Sequence, residues 1–478
     1  MRLPLKLLLV LGMTLAIVVP LQLIRGTINE RQRYRAQAVD SVARSYAGPQ
    51  ALSGPVLVVP YVETIEVEEK NDAGEVVRTV KRDGASGAWT YFPNRLEVRG
   101  RVLPSTRRLG LHEVRVYELQ ATAEASFSAE IPADEKPELP RRIGQPWLSY
   151  GIADVRGLAG NPRLRIDGTD VDLAEGFGSR NAGGVHARLP APEAGATLRL
   201  DASLDIGLGG TELLGLVPLA RSNVFRLEST WPHPRFGGNF LPGQRQVSGK
   251  GFTAAWEVSS LATRAQAQFL AGRTVPSFDE TVSMPGYADD PSTGLANGGI
   301  DVVGIALVDP VNIYSKADRA TKYGLLFVAL TFVGFFLFEL LKRLPIHPIQ
   351  YGLVGLALAI FFLLLVSLSE HLPFGTAYLI ASAACIGLLG LYLSAVLRSR
   401  ARGASFAAML AVLYAALYGL LASEDNALVL GTVLLFVSLA TLMLATRNVD
   451  WYQLAGGAGQ GTSPTTAQSL AESTSEPP

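Results

Sequence analysis

Six apolar runs constrain this chain more than any other feature. A helix needs about 20 mostly apolar residues to cross roughly 30 Å of hydrocarbon. Runs of that kind occupy residues 7–24, 324–341, 349–368, 374–397, 404–422 and 427–445. The last two are rich in Ala, Gly and Ser. Small residues let neighbouring helices approach closely, which favours a packed bundle over separate lipid-facing anchors. The runs account for a mean hydropathy of +0.25 and a charged fraction of 18%, where globular domains carry about 25%. This composition argues against a cytosolic globule. The expected fold class is a multi-pass α-helical membrane protein of about six spans, with a large periplasmic β-rich, sandwich-like domain between span 1 and span 2.

The first run follows Arg2 and Lys6, so it could be a cleavable signal or an anchor. Cleavage wants a small-x-small site just past the apolar stretch. That place holds Pro20, Gln22, Ile24 and Arg25, and Ala36-Gln37-Ala38 lies beyond four arginines, at 25, 31, 33 and 35. The sequence predicts an uncleaved signal anchor. Orientation follows the Lys/Arg bias of short loops. Arg2, Lys6, Lys342, Arg343, Arg398, Arg400, Arg402 and Arg447 fall on one side, whereas loops 369–373 and 423–426 contain neither residue. Both termini are therefore expected in the cytoplasm, with residues 25–322 translocated. The expected division is residues 1–24 (cytoplasmic N-terminus and span 1), 25–322 (periplasmic), 323–446 (five-span bundle) and 447–478 (a cytoplasmic, disordered tail).

Within the translocated segment, residues 27–46 read as a helical stalk. Thr27 with Glu30 makes a capping box, no Gly or Pro intervenes, and Gly48-Pro49 ends it. The remainder reads as β. Residues 198–208 alternate leucine, alanine or isoleucine with polar residues, the period-two pattern of a strand with one buried face. Residues 114–127 alternate too, but the apolar phase slips between Val116 and Tyr117, which predicts a bulge. Asn71-Asp72-Ala73-Gly74 between 65–70 and 75–81 predicts a hairpin. Residues 56–62 and 300–308 are apolar on both faces and suit buried strands.

Motifs with a chemical mechanism are missing. There is no nucleophile elbow, no H-E-x-x-H and no paired C-x-x-C. Ser248-Gly249-Lys250-Gly251 lacks the leading glycine and the following Ser/Thr of a phosphate loop. Five histidines, at 112, 186, 233, 347 and 371, show no metal-ligand spacing, and one cysteine, Cys385, excludes an internal disulfide. Lys+Arg and Asp+Glu balance at 42 each, so no basic excess points to nucleic acid. No cofactor and no metal is expected, and oligomeric state is not encoded legibly.

Two places stand out as candidate binding residues. Trp231-Pro232-His233-Pro234 is a proline-stiffened loop that fixes where an indole and an imidazole point; it is either a docking loop or a rigid connection around a packed tryptophan. Glu370-His371 joins a carboxylate and an imidazole in the loop after the third span, either a proton relay or a polar cap on a tight turn. Glu339, within a turn of the end of its span and near Lys342, Arg343 and His347, reads as a snorkelling, ion-paired carboxylate. Asp318-Arg319 with Lys322-Tyr323, and Trp451-Tyr452, suit the two membrane interfaces.

Several strings in order resemble the CreD family of bacterial inner-membrane, or cell envelope integrity, proteins. They are Gly48-Pro49-Gln50 with Gly54-Pro55, the 231–242 loop, Ser248-Gly249-x-Gly251-Phe252 with Trp256, and Asp318 to Tyr323. His347 to Tyr351, Leu368 to His371 and Thr446 to Tyr452 complete the set. The resemblance covers residues 7–452 and is thin over 155–195 and 261–312. It implies a Gram-negative inner-membrane protein induced with a sensor-kinase/response-regulator system and linked to envelope integrity, envelope stress response and colicin susceptibility. It implies no catalytic residue. The expectation is a non-enzymatic protein in the lipid bilayer whose periplasmic β-rich domain binds a protein, lipid or glycan partner. The alternatives are a transporter or flippase-like accessory acting through the bundle, and a hydrolase that would need His112, His186 or His233 to converge with carboxylates or a serine.

Overall fold

The computed structural model describes residues 3–72, 76–178, 183–273, 275, 299–307, 313–342, 347–422 and 427–447. The chain divides into two compact units, one built from Met1–Ile28 with Ile313–Pro478 and the other from Asn29–Asn312.

The first unit is helical: α1 (Leu3–Ala16) and the start of α2 (Val18–Ser45), joined by α4 (Ile313–Lys342), α5 (Pro348–Ser369), α6 (Phe374–Val396), α7 (Arg400–Ala422) and α8 (Ala427–Thr446); α3 (Ala265–Leu270) belongs to the second unit. Among the described residues five helical stretches are long and apolar enough to cross a membrane, one of them near the N-terminus. The described apolar stretch of the last helix, Val429–Leu444, is shorter than those five. The α4 helix begins eleven residues earlier than its apolar run. Asp318 to Tyr323 therefore lie on helix, because nothing in Ile313–Lys342 breaks it and polar residues are good helix formers outside the hydrocarbon.

The interior of this unit is aromatic. Phe327 and Phe361 meet the Tyr414 ring edge-on at 4.7 and 4.6 Å, and Phe335 lies 4.7 Å from Tyr351 and 5.4 Å from Phe406. Such pairs add about 0.5–1.5 kcal/mol beyond area burial. Ile17, Leu21, Ile24 and Ile28 are buried in the same cluster, which seats the N-terminal helix against α4 and α5. Gly355 makes that approach possible: a Cβ there would meet Ile17 and the Phe332 ring within 2.9 Å.

The second unit begins with the outer part of α2 and continues as strands. They are β1 (Gln50–Lys70), β2 (Val76–Tyr91), β3 (Arg95–Leu109), β4 (His112–Glu130), β5 (Arg142–Ile143), β6 (Trp147–Ile152), β7 (Leu158–Ile166) and β8 (Thr169–Val171). After these come β9 (Ala174–Glu175), β10 (Gly184–Arg188), β11 (Thr197–Thr211), β12 (Leu213–Leu216), β13 (Ser222–Ser229), β14 (Arg235–Gly238), β15 (Gln244–Ser248), β16 (Gly251–Ser259) and β17 (Val303–Ala306). One sheet has the order β14-β17-β12-β1-β6-β10-β9, with β2 and β5 also on β1; the other runs β15-β16-β13-β3-β4-β11-β7-β8. Both are mixed, because β1 pairs β12 and β3 pairs β13 in parallel. Leu52, Leu57, Val59 and Leu148 of the first sheet share one core with Leu96, Val98, Leu119 and Leu204 of the second. The outer face of the first sheet is covered as well: Val56, Val58 and Leu213 pack with Phe177 and with Phe269 of α3. This explains why 56–62 and, apart from Asp301, the described part of 300–308 are apolar on both faces.

The alternation of 198–208 appears as β11, with Leu200, Ala202, Leu204, Ile206 and Leu208 buried. The hairpin at 71–74 is the β1/β2 connection, although residues 73–75 lie outside the described residues. Two local expectations are corrected. Thr27 does not cap a helix: α2 runs straight through it, and its hydroxyl donates back to the Leu23 carbonyl at 3.3 Å. Nor is there a bulge at Val116/Tyr117, since β4 keeps unbroken register with β3 and β11. The phase slips because both faces are covered there. Tyr117 points into the core, while Val114 and Val116 pack outward against Ala38 and Val42 of α2.

The junction of helix and sheets is tightly bonded. The fully buried Gln50 side chain donates Nε2–H to the carbonyls of Asp154 (2.6 Å) and Gly209 (3.0 Å), and its Oε1 accepts from the Asp154 amide (3.2 Å). Arg156 reaches the Arg44 carbonyl (2.6 Å) at the C-terminus of α2, where carbonyls lack helical partners. The Thr211 hydroxyl takes the Ala47 carbonyl (2.6 Å). These bonds give the Gly48-Pro49-Gln50 string a structural role.

Candidate binding face on the second sheet

The second sheet buries one face in the core and, beyond the part of β4 covered by α2, leaves the other in water. That outer face holds a groove of about 1000 Å³ lined by residues of seven of its eight strands, from β15 to β7. Seven strands at about 4.8 Å spacing span about 29 Å, and a groove that continuous requires the sheet to be concave on this side.

Strand register fixes what lines it. One row across the sheet reads Arg226, Arg99, Thr122, Asp205 and Arg163; the next reads Glu228, Arg101 and Gln120. All project from the same face because the period is two. The charges are partly satisfied within the sheet. Arg101 donates to Glu228 (2.7 Å), and Asp205 accepts from the Thr122 hydroxyl (2.6 Å) and from Arg165 (3.1 Å). Beside the groove, Glu97 is 5% exposed and holds Arg95 at 2.9 Å, Arg99 at 2.6 Å and Arg226. Burial pushes its carboxyl up, but the guanidinium groups outweigh that and keep it below the ordinary carboxylate range. Arg163 makes no ion pair among the described residues and is exposed.

The residues singled out in the sequence lie elsewhere. Trp231 is buried in the sandwich core, its indole N–H donating to the His233 carbonyl at 2.9 Å and the Arg115 guanidinium stacked 4.2 Å from its ring centroid. The loop is thus built around a packed tryptophan. His233 is exposed with its ring edge-on to Trp231, and Pro232 and Pro234 are half-buried. Glu370 is the C-cap of α5 and His371 follows it, exposed, its amide donating to the Leu368 carbonyl. Glu339 is buried and accepts from the Tyr351 hydroxyl at 2.8 Å; the side chains of Lys342 and Arg343 lie outside the described residues, as do Trp451, Tyr452 and the tail. Tyr351 and Glu370 stand nineteen positions apart on α5, about 28 Å at 1.5 Å per residue, so Glu339 and the Glu370-His371 pair occupy opposite ends of the helix rather than one space. Cys385 accepts a bond from the Tyr414 hydroxyl at 3.0 Å within the bundle.

The three histidines of the β region do not meet. His112 opens β4 of the second sheet, His186 lies on β10 of the first with Nδ1 2.9 Å from the Gly176 carbonyl, and His233 is on its loop. Among the described residues no group of three or more His, Cys, Asp or Glu side chains could hold a metal ion. The concave face escaped the sequence reading because its residues come from seven strands between positions 99 and 255; only the polar half of each alternating pattern signalled it.

Apolar helices flanking a large two-sheet β segment define a membrane protein with a substantial domain inserted after its first apolar helix. A family model described as inner membrane protein CreD matches residues 2–452. The inner membrane protein CreD of Escherichia coli (strain K12) is 36% identical over 444 residues, covering 92% of each chain. This chain belongs to the CreD family of inner-membrane proteins. Among solved structures, an M1 zinc metallopeptidase from Deinococcus radiodurans aligns over 45% of this chain and 42% of its own at 10% identity, with a TM-score of 0.21, a likeness that carries no argument.

Proposed function

We propose that the β domain stands in the periplasm and supports envelope integrity by binding an envelope component through the concave face of its second sheet, with six helical spans as the anchor and both termini in the cytoplasm. The role is binding rather than catalysis. The observation that carries this reading is the groove of about 1000 Å³ on a solvent-facing sheet, large for a site that merely solvates a sandwich and at the upper end of small-molecule pockets. The placement is supported by the confinement of Lys and Arg to one set of short loops.

Two measurements test it in cells. A cysteine placed at Glu68, on the β1/β2 hairpin, should react with a membrane-impermeant maleimide once the outer membrane alone is permeabilised. Labelling only after the inner membrane is opened overturns the topology. A photo-crosslinking residue at Gln120, in the groove, should capture an envelope component that the same residue on β2 does not; capture equal at both positions overturns the site.

A further inference from the structure

The concave face also specifies the chemistry of what it holds. Its groove is lined by five arginines, at 99, 101, 163, 226 and 245, against three carboxylates, Glu118, Asp205 and Glu228. The remaining polar lining is amide and hydroxyl, from residues such as Gln120, Asn161 and Thr253, and no aromatic ring borders it. The apolar lining is of two kinds, Ala121, Ile206, Leu227 and Ala254, whose side chains are buried in the core, and the single methyls of Ala159 and Ala255, so an acyl chain finds no continuous apolar wall there. An extended peptide would find no strand to pair with across the middle of the groove, because β16, β13, β3, β4, β11 and β7 each have a bonded neighbour on both sides. Recognition must run through side chains. Each guanidinium carries five donors and no acceptor, so donors exceed acceptors even after Arg101–Glu228, Arg99–Glu97 and Arg226–Glu97 are counted.

Position adds a second constraint. Arg99 and Arg163 lie in one register row three strands apart, about 14 Å at 4.8 Å per strand. That spacing suits a chain bearing negative groups at intervals, and a polyhydroxylated backbone between them matches the amides and hydroxyls of the groove. Resting on the concave-face reading above, we infer that this face binds an acidic oligosaccharide, a glycan carrying carboxylates along its length, laid across the strands from β13 to β7. Arg163 captures a carboxylate at one end, and Arg99 and Arg226 capture another near the centre.

The test uses the full-length protein in lipid nanodiscs with two defined probes, a hexamer of galacturonate, which has a carboxylate on every ring, and maltohexaose, which has none. The acidic hexamer should bind at least tenfold more tightly than the neutral one, and less tightly as salt rises. Arg163→Gln should weaken the acidic hexamer about tenfold and Arg163→Lys less; Arg163 has no ion pair to lose, so neither change should disturb folding. Thr122→Trp, which fills the groove floor, should abolish binding. Equal binding of the two hexamers, or acidic binding indifferent to Arg163 and Thr122, overturns the ligand class. If neither hexamer binds while the Gln120 crosslinker still captures a component, the glycan assignment falls and the concave-face reading survives. If neither binds and nothing is captured, both fall.

Discussion

Tyr351 of α5 donates its hydroxyl proton to Glu339 of α4 at 2.8 Å; both residues are buried, and the Tyr351 ring packs against Phe332 and Phe335. A carboxylate away from water needs such a donor, and hydrogen bonds between membrane helices contribute about 0.6 kcal/mol on average and up to about 1.7. Tyr351→Phe keeps the ring packing and removes the donor alone. It should lower stability in detergent by about 0.5–2 kcal/mol, read as a fall in Tm, and Glu339→Gln should recover part of that loss in the double variant. A Tm unchanged by Tyr351→Phe would show that the bond contributes nothing to helix packing.

Gln50 offers a sharper effect. Its side chain satisfies two carbonyls and one amide at the junction of helix and sheets while fully buried. Gln50→Leu, of similar size, strands all three groups, each costing about 1–3 kcal/mol when left unpaired in the interior. The expected outcome is a protein with a markedly lower Tm and a protease-sensitive 46–50 segment. Gly157→Ala should act the same way, because a Cβ there would collide with the Gly209 carbonyl and the Gln50 amide.

Glu97 predicts a pH dependence. Its carboxyl is held below the ordinary range in the folded protein, so the unfolded chain binds the proton more readily. The stabilisation is then complete above the unfolded carboxylate pKa and is lost as pH falls through the folded one. Denaturant unfolding from neutral to acidic pH should show Glu97→Gln less stable at neutrality by about 1–3 kcal/mol, the scale of bonds to charged groups, with the gap closing on acidification. A gap constant with pH would remove the arginine cluster as its cause.

Much of the architecture was legible because it follows from short-range periodicity. Apolar runs long enough to span lipid became α4 to α7, and the alternation of 198–208 became β11 with the expected residues inside. Local patterns misled where the deciding neighbour lies outside their window or a helix was already under way. At Val116/Tyr117 the pattern slipped because Ala38 and Val42 cover the second face of β4, which no window around residue 116 contains. Thr27 carried the letters of a cap, yet the helix already under way from Val18 consumed its amide. For Trp231 the letters left a docking loop and a packed tryptophan both open, because the core that absorbs the ring is assembled from both sheets.

What the chain determined by itself was solvent preference, residue by residue: which stretches leave water, which strands have one wet face, and which short loops exclude Lys and Arg. Those are local transfer energies, and they add along a sequence. The groove on the second sheet was decided by the tertiary structure alone. Arg163 and Arg226 come to line one groove only through the order β13-β3-β4-β11-β7 and the register that aligns them, and that order results from packing two sheets on one core, a cooperative outcome no single segment encodes.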